Sequence, residues 1–430
     1  MAHTYLLKNL KPVGPGTSHL SEKVDIEIES GKIKRFAENI DSPNSPELHT
    51  EDFNGAYVSA GWMDMHVHLR EPGFEHKETI KTGCAAAASG GFTDIACMPN
   101  TSPAASSRDV IEYIRTKAEV QPVSVHPIAC VSKDREGKQL AEMADLKAGG
   151  AVAFSDDGDP VYDARLMRIA LDYASMLDMP IINHEEDLAL SRPGHMHEGR
   201  VSARMGVDAT PGIAEEVMIA RDIMLAELTG GHIHVAHIST GKAVELVRQA
   251  KQKEINVTAE VCPHHFDLTD EKIERTGFDT NFKMHPPLRS SDDVEAMIGG
   301  LKDGTIDAIC TDHAPHSVDE KDAEFIYAPN GIIGLETAFA ICCKQLLEPG
   351  HLTLDQLLEK LITGPRSVLN LPLPDLKEDS EAKLTIFRTD EAWTFTEDKV
   401  RSRSRNSPYL HHNLTGRALA VFNKGQLVIN

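Results

Sequence analysis

Eight short apolar runs recur along the chain, at residues 57–65, 92–98, 123–131, 151–154, 180–183, 232–236, 256–262 and 306–311. Between most of them lie stretches with helical spacing, and this alternation constrains the fold more than any other property of the sequence. Val110, Ile111, Ile114 and Ala118 fall on one helical face, as do Leu166, Ile169, Ala170, Tyr173 and Leu177. Glycine pairs close several of these stretches, at Gly90-Gly91, Gly149-Gly150 and Gly230-Gly231, where a left-handed cap is needed. Strand and helix alternating eight times over some 250–290 residues predicts an α/β fold of the (β/α)8 TIM-barrel type. The competing architecture is an open doubly wound sheet, which rarely gathers polar groups from its first and last strands.

Outside that span the pattern changes. Residues 1–55 read as short strands and turns, with 23–28 followed by the turn Ser30-Gly31-Lys32. Residues 382–388, 416–421 and 426–429 read as strands again, the last two joined at Asn423-Lys424-Gly425. The expected division is therefore 1–55 and 371–430 as two parts of one small flanking β domain, and 56–370 as the barrel. Residues 353–369 read as an additional helix, and the stretch with Pro372, Pro374 and Asp375 as a linker.

Composition narrows the function. A formal charge of −22 repels phosphate backbones, so no nucleic-acid partner is expected. No stretch approaches the roughly 18–20 apolar residues of a membrane span, and the N-terminus lacks a secretory pattern. The cysteines Cys84, Cys97, Cys130, Cys262, Cys310, Cys342 and Cys343 form no Cys-x-x-Cys pair and mostly lie in apolar segments. That usage fits reduced thiols in a cytoplasmic protein.

The chemistry gathers at the strand ends, where a barrel of this type carries its catalytic groups. Strand one ends in His66 and His68, which share a face at i and i+2. Strand four runs into Ser155-Asp156-Asp157-Gly158, strand five into His184-Glu185-Glu186, strand six into His237, and strand eight into Asp312. Any one of these histidines read alone is a hydrogen-bonded core residue. Together, at the same end of different strands, they predict a site for Zn²⁺ or a similar divalent ion. Such an ion lowers the pKa of bound water to about 7 and would supply hydroxide for attack on an amide or imide carbonyl. Asp312, ending strand eight beside the histidines of strand one, is the expected proton carrier. His264 and His265 read as supporting or turn residues. His195, His197, His411 and His412 read as solvated or structural, while His126 and His232 need only a hydrogen-bond partner.

Two long motifs carry a resemblance. Asp64-Met65-His66-Val67-His68-Leu69-Arg70-Glu71-Pro72-Gly73 and Thr311-Asp312-His313-Ala314-Pro315-His316, with Lys321 beyond, resemble the signatures of class I dihydroorotases in the cyclic amidohydrolase superfamily. Met98-Pro99-Asn100-Thr101, Phe154 to Gly158, Asn183 to Asp187, His237 to Thr240 and Pro286-Pro287-Leu288-Arg289 fit the same family in order. The resemblance implies metal ligands at His66, His68, Asp157, His184, His237 and Asp312, for one or two Zn²⁺ per subunit, with Asp312 as acid/base. It implies that Arg70 and Asn100 hold a substrate carboxylate, with His68 at the same site and His316, Asn330 and Gly331 against the substrate ring. It also implies reversible cyclisation of N-carbamoyl-L-aspartate to L-dihydroorotate in pyrimidine biosynthesis, with metal-bound hydroxide as the nucleophile of the hydrolytic direction.

The chain departs from that family at His285, where a substrate-binding asparagine is common, and at Cys310, where a smaller residue is usual. Related dihydropyrimidinases and hydantoinases bridge two metals with a carboxylated lysine near the end of strand four. The run 151–157 contains no lysine, and Lys147 lies upstream. The alternatives are another cyclic amidohydrolase, such as an allantoinase or hydantoinase, and a non-catalytic homologue supporting a carbamoyltransferase. A small-molecule substrate, no membrane partner and a homodimer complete the expectations.

Overall fold

The computed structural model describes residues 4–41 and 48–430; residues 1–3 and 42–47 of the expected N-terminal part lie outside it. Eight strands form one parallel sheet whose neighbours follow chain order: Trp62–Val67, Phe92–Cys97, Ser124–Ala129, Ala153–Phe154, Ile181–Asn183, Ile233–Val235, Val257–Val261 and Ala308–Ile309. The last strand returns to the first. Val67 and His313 make a parallel bridge, and the His68 N–H donates to His313 O at 2.9 Å. Two residues earlier a side chain replaces the ladder, as the Thr311 N–H donates to the Asp64 carboxylate at 3.1 and 3.2 Å. The sheet is therefore a closed or nearly closed (β/α)8 barrel.

Inside, Met63, Met65, Ala96, Met98, Ile128, Ala153, Ile182, Ala236, Cys262, Ala308 and Cys310 fill the lumen, with Val368 and Leu369 packed against them. Val368 ends the helix Leu354–Val368, the additional helix expected at 353–369. Its Thr353 cap accepts from the Gln356 N–H in a capping box. The glycine pairs act as expected: Gly91, Gly150 and Gly230 are left-handed caps of the helices Ile80–Gly90, Met143–Gly149 and Ile213–Thr229. All seven cysteines are buried and unpaired by disulfides.

A second sheet flanks the barrel in the order Gln426–Ile429, Asn413–Asn423, Leu384–Thr394, Tyr57–Ala60, Thr4–Pro12, Val24–Glu29 and Lys32–Ala37, with Leu48–Asp52 also pairing with Thr4–Pro12. It is antiparallel except for the two parallel pairings of Thr4–Pro12 with Tyr57–Ala60 and Leu48–Asp52. Strands from both ends of the chain thus share it.

Two expectations need correction. The run 57–65 is not one barrel strand: Tyr57–Ala60 pairs with Leu384–Thr394 in the flanking sheet, and only Trp62–Val67 enters the barrel. Gly61 separates them, because a Cβ there would lie 2.1 Å from Thr93 Oγ1. The buried face of the helix Ala164–Met176 is also rotated. Met167, Leu171 and Ala174 join Leu166 and Ala170 inside, whereas Ile169 is 42 % exposed. This helix carries apolar residues on adjoining faces, so periodicity could not choose between them. Among the described residues, no helix is long and apolar enough to cross a membrane.

Candidate metal centre and substrate cavity

The polar residues at the strand ends converge. His66 Nε2 lies 3.4 Å from Asp157 Oδ1 and 3.5 Å from Asp312 Oδ1. His68 Nε2 lies 2.8 Å from Asp312 Oδ1 and 3.5 Å from Asp157 Oδ2. On the other side of Asp157, its Oδ1 is 3.8 Å from His184 Nδ1 and 3.6 Å from His237 Nε2. Two triads result, His66–His68–Asp157 and Asp157–His184–His237, each with its donor atoms within 4.8 Å of one another. Asp157 belongs to both.

The donor set fits a divalent ion. A tetrahedral site with metal–ligand distances of about 2.1 Å has ligand–ligand edges of about 3.4 Å, close to most of these separations. His66 Nε2 and Asp157 Oδ1 are buried without a hydrogen-bond partner, which is costly unless a cation completes them. The electrostatics agree. Burial works against charge on every member, yet Asp157 and Glu260 hold the His66 pKa well above its ordinary value. His66 in turn holds Asp157 well below the carboxylate range. Asp312 is likewise depressed against its burial, through the His68 hydrogen bond and the charge of His66. The site is built to keep its carboxylates ionised.

Strain marks the same residues. His237 has φ 30°, Asp312 φ 47° and Arg70 φ 59°, in the left-handed region that side chains other than glycine rarely occupy.

Above the donors lies a cavity of about 270 Å³ lined by His68, Arg70, Asn100, Asp157, His184, His237, His285, Asp312, His316, Asn330 and Gly331, with Gly158 and Ala314. His66 is not on its wall; it is fully buried beneath. Asn100 Oδ1 sits 2.9 Å from His68 Nδ1, which leaves the Asn100 amide hydrogens for an anion. Arg70 donates through Nε to Pro315 O at 3.3 Å. Burial lowers its pKa only to about 10, so it stays cationic at neutral pH. Burial and then the Arg70 charge push His316 down to about 2, so its ring is neutral and Nε2–H donates to Asn330 O at 2.8 Å. His285 does not face the cavity alone: its Nε2 is 3.0 Å from Glu186 Oε2, and its ring stacks on His184. A larger cavity of about 780 Å³ opens at the N-terminal ends of the strands, around Asp178, His232, Asn256 and Asp307, away from all of these residues.

Sequence reasoning missed several supporting groups. Glu260 Oε1 lies 2.5 Å from His66 Nδ1 and fixes which ring nitrogen faces the centre. A lone glutamate inside the apolar run 256–262 was the available signal. Asn406 donates to Ala314 O and Gly331 O, both at 3.0 Å, and accepts from the His316 N–H at 3.1 Å. Nothing in its local sequence announces that reach. By contrast, the sequence does mark Asp156 as a supporting carboxylate next to Asp157, and it accepts from the Val131 and Ser132 N–H groups in the loop.

The fold is shared with solved hydantoinase and dihydropyrimidinase structures. An L-hydantoinase (dihydropyrimidinase) from Arthrobacter aurescens superposes with a TM-score of 0.86 at 22 % identity, covering 100 % of this chain and 96 % of that one. A dihydropyrimidinase from Brevibacillus agri NCHU1002 gives 0.83 at 21 % identity, covering 99 % and 95 %. A family profile described as Dihydro-orotase-like matches residues 55–243. Proteins named dihydroorotase from Syntrophus aciditrophicus (strain SB) and Pelotomaculum thermopropionicum (strain DSM 13744 / JCM 10971 / SI) are each 47 % identical, over 98 % of both chains in the first case and over 99 % of this chain and 98 % of the other in the second. The chain belongs to the dihydroorotase family.

Proposed function

We propose that the protein is a metal-dependent dihydroorotase that interconverts N-carbamoyl-L-aspartate and L-dihydroorotate. The observation that carries this reading is the placement of Arg70 and Asn100 on the wall of the cavity that holds both metal triads. A guanidinium grips a carboxylate through two parallel hydrogen bonds, and the substrate carries a carboxylate beside the scissile ring amide. Near-full-length identity to relatives named dihydroorotase supports the same substrate.

His66, His68, Asp157, His184, His237 and Asp312 would hold one or two Zn²⁺ ions, with Asp157 between the triads in the place of a bridging lysine. Bound there, Zn²⁺ supplies Lewis acidity toward the ring carbonyl and makes water a nucleophile near neutral pH. Asp312, ionised in the resting site, accepts the proton of the attacking water and delivers it to the departing ring nitrogen; cyclisation reverses the transfer. Arg70 and Asn100 anchor the carboxylate, with His285 as a third contact. His68 beside Asn100, and His316, Asn330 and Gly331 across the cavity, position the ring.

The same reading places the enzyme in the cytoplasm as a homodimer. In support, Ile213, Val217, Met224 and Leu228 leave an exposed apolar stripe along the helix Ile213–Thr229, which a second copy would cover. Sedimentation should report twice the 47.1 kDa chain mass.

The deciding experiment compares L-dihydroorotate, allantoin and hydantoin on one zinc-loaded preparation. Dihydroorotate should turn over fastest by a wide margin. Preferential hydrolysis of either other ring would assign the site to a different cyclic amidohydrolase.

A further inference from the structure

His184, Glu186 and His285 form a third cluster of metal-ligating groups, with donor atoms within 4.8 Å of one another. The two imidazole planes lie 25° apart with centroids at 4.8 Å. Both Nε2 atoms face the same carboxylate oxygen, Glu186 Oε2, at 3.0 Å from His285 and 3.9 Å from His184. His184 meets the inner centre through its other nitrogen, since Nδ1 lies 2.9 Å from His237 Nε2 and 3.8 Å from Asp157 Oδ1. One ring therefore belongs to two triads, with one nitrogen turned to each. His184 and His285 both line the cavity, and the His285 side chain is 27 % exposed whereas those of His68, Asp157 and His237 are at most 5 % exposed, so the outer triad is the one that solvent reaches more easily.

We propose that His184, Glu186 and His285 form an outer binding site for a divalent cation of the zinc type, and that its occupation blocks the substrate cavity. Two imidazole nitrogens and one carboxylate oxygen are the donor types of a catalytic zinc site, with an open position left toward the cavity. With three donors, one of them on the 27 % exposed His285 side chain, the outer site is weaker than the inner centre with its six buried donors, and it fills only when the cation is in excess. An ion seated there takes His285 away from the substrate carboxylate. The inference rests on the dihydroorotase reading only for its effect on catalysis; the binding itself does not.

The test uses full-length protein already loaded with its tightly held metal and titrates Zn²⁺ by calorimetry, with His285→Asn and Glu186→Gln alongside. The parent should bind one further ion per subunit, and each variant should bind it about ten-fold or more weakly. Retention of the tightly held metal, with an unchanged circular dichroism spectrum, shows that the variants are folded. In parallel, excess Zn²⁺ should raise the KM for dihydroorotate without lowering kcat in the parent, and this rise should vanish in His285→Asn. Equal stoichiometry and affinity in parent and both variants would show the cluster to be an ion pair stacked on a histidine, and would overturn the site. Absence of dihydroorotate turnover at limiting zinc would sink the enzymatic reading while leaving the binding result intact.

Discussion

The proton-transfer role proposed for Asp312 depends on its backbone as much as on its carboxylate. Its positive φ of 47° turns the side chain toward His68, 2.8 Å away. Asp312→Asn keeps the shape and removes the proton acceptor, so turnover should fall by about 10²–10⁴-fold or more in both directions. A near-normal rate in the steady-state assay would remove Asp312 from that role. Glu260 acts one bond further out, by orienting His66. Glu260→Gln should weaken metal retention by about 10–100-fold, read as the metal left after dialysis against a chelator. Undiminished retention would show that His66 is fixed by packing alone. These two residues also show what sequence can reveal at this scale. Asp312 and the histidines were visible because each stands at or just beyond the end of an apolar strand, where polarity needs a reason. Glu260 lies inside a strand and was read as part of an ordinary run, since its charge is explained only by His66, across the closure of the barrel, and by His234 on the neighbouring strand.

At the scale of elements, the barrel was legible because parallel strands buried on both faces are written as continuous apolar runs. The division of the first run was not, because the sequence 57–65 is equally apolar on both sides of the break. What separates the two strands is one close approach, between Gly61 and Thr93. Thr93 Oγ1 donates to Trp62 O at 3.1 Å or to Asp94 Oδ2 at 2.9 Å, so it is not free to move aside. A Cβ at position 61 would also lie 2.8 Å from Lys383 Cγ. Gly61→Ala should therefore cost about 1–3 kcal/mol or more, measured by denaturant unfolding. A neutral effect would mean that the two sheets yield easily at their junction, and would undo the explanation of the split. The rotated face of Ala164–Met176 has the same origin: a choice between two apolar stripes is made by the neighbouring helix Ile213–Thr229, not by the local sequence.

At the scale of the molecule, a connection of the flanking sheet reaches the loops around the proposed substrate cavity. The segment between Leu384–Thr394 and Asn413–Asn423 leaves the sheet and crosses to the barrel mouth. There, Ser402 Oγ and the Arg403 N–H donate to the buried Glu78, which in turn lies 3.2 Å from His313 Nε2. Further along, Asn406 ties together three main-chain groups of the loop that carries His316 and Gly331. No local pattern reports this reach, because the partners lie 75–92 residues apart in the chain. Asn406 is 4 % exposed, so shortening it leaves buried carbonyl and N–H groups without partners. The strand ends that carry the candidate metal ligands are untouched by it. Asn406→Ala should therefore raise the KM for dihydroorotate about ten-fold or more, as expected for about 1.4 kcal/mol or more of lost positioning, with metal content unchanged. Steady-state kinetics and metal analysis on the same preparation separate the outcomes. If metal is lost together with substrate affinity, Asn406 supports the whole barrel mouth; if neither changes, the loop holds its shape without the C-terminal segment, and the flanking sheet has no part in substrate binding.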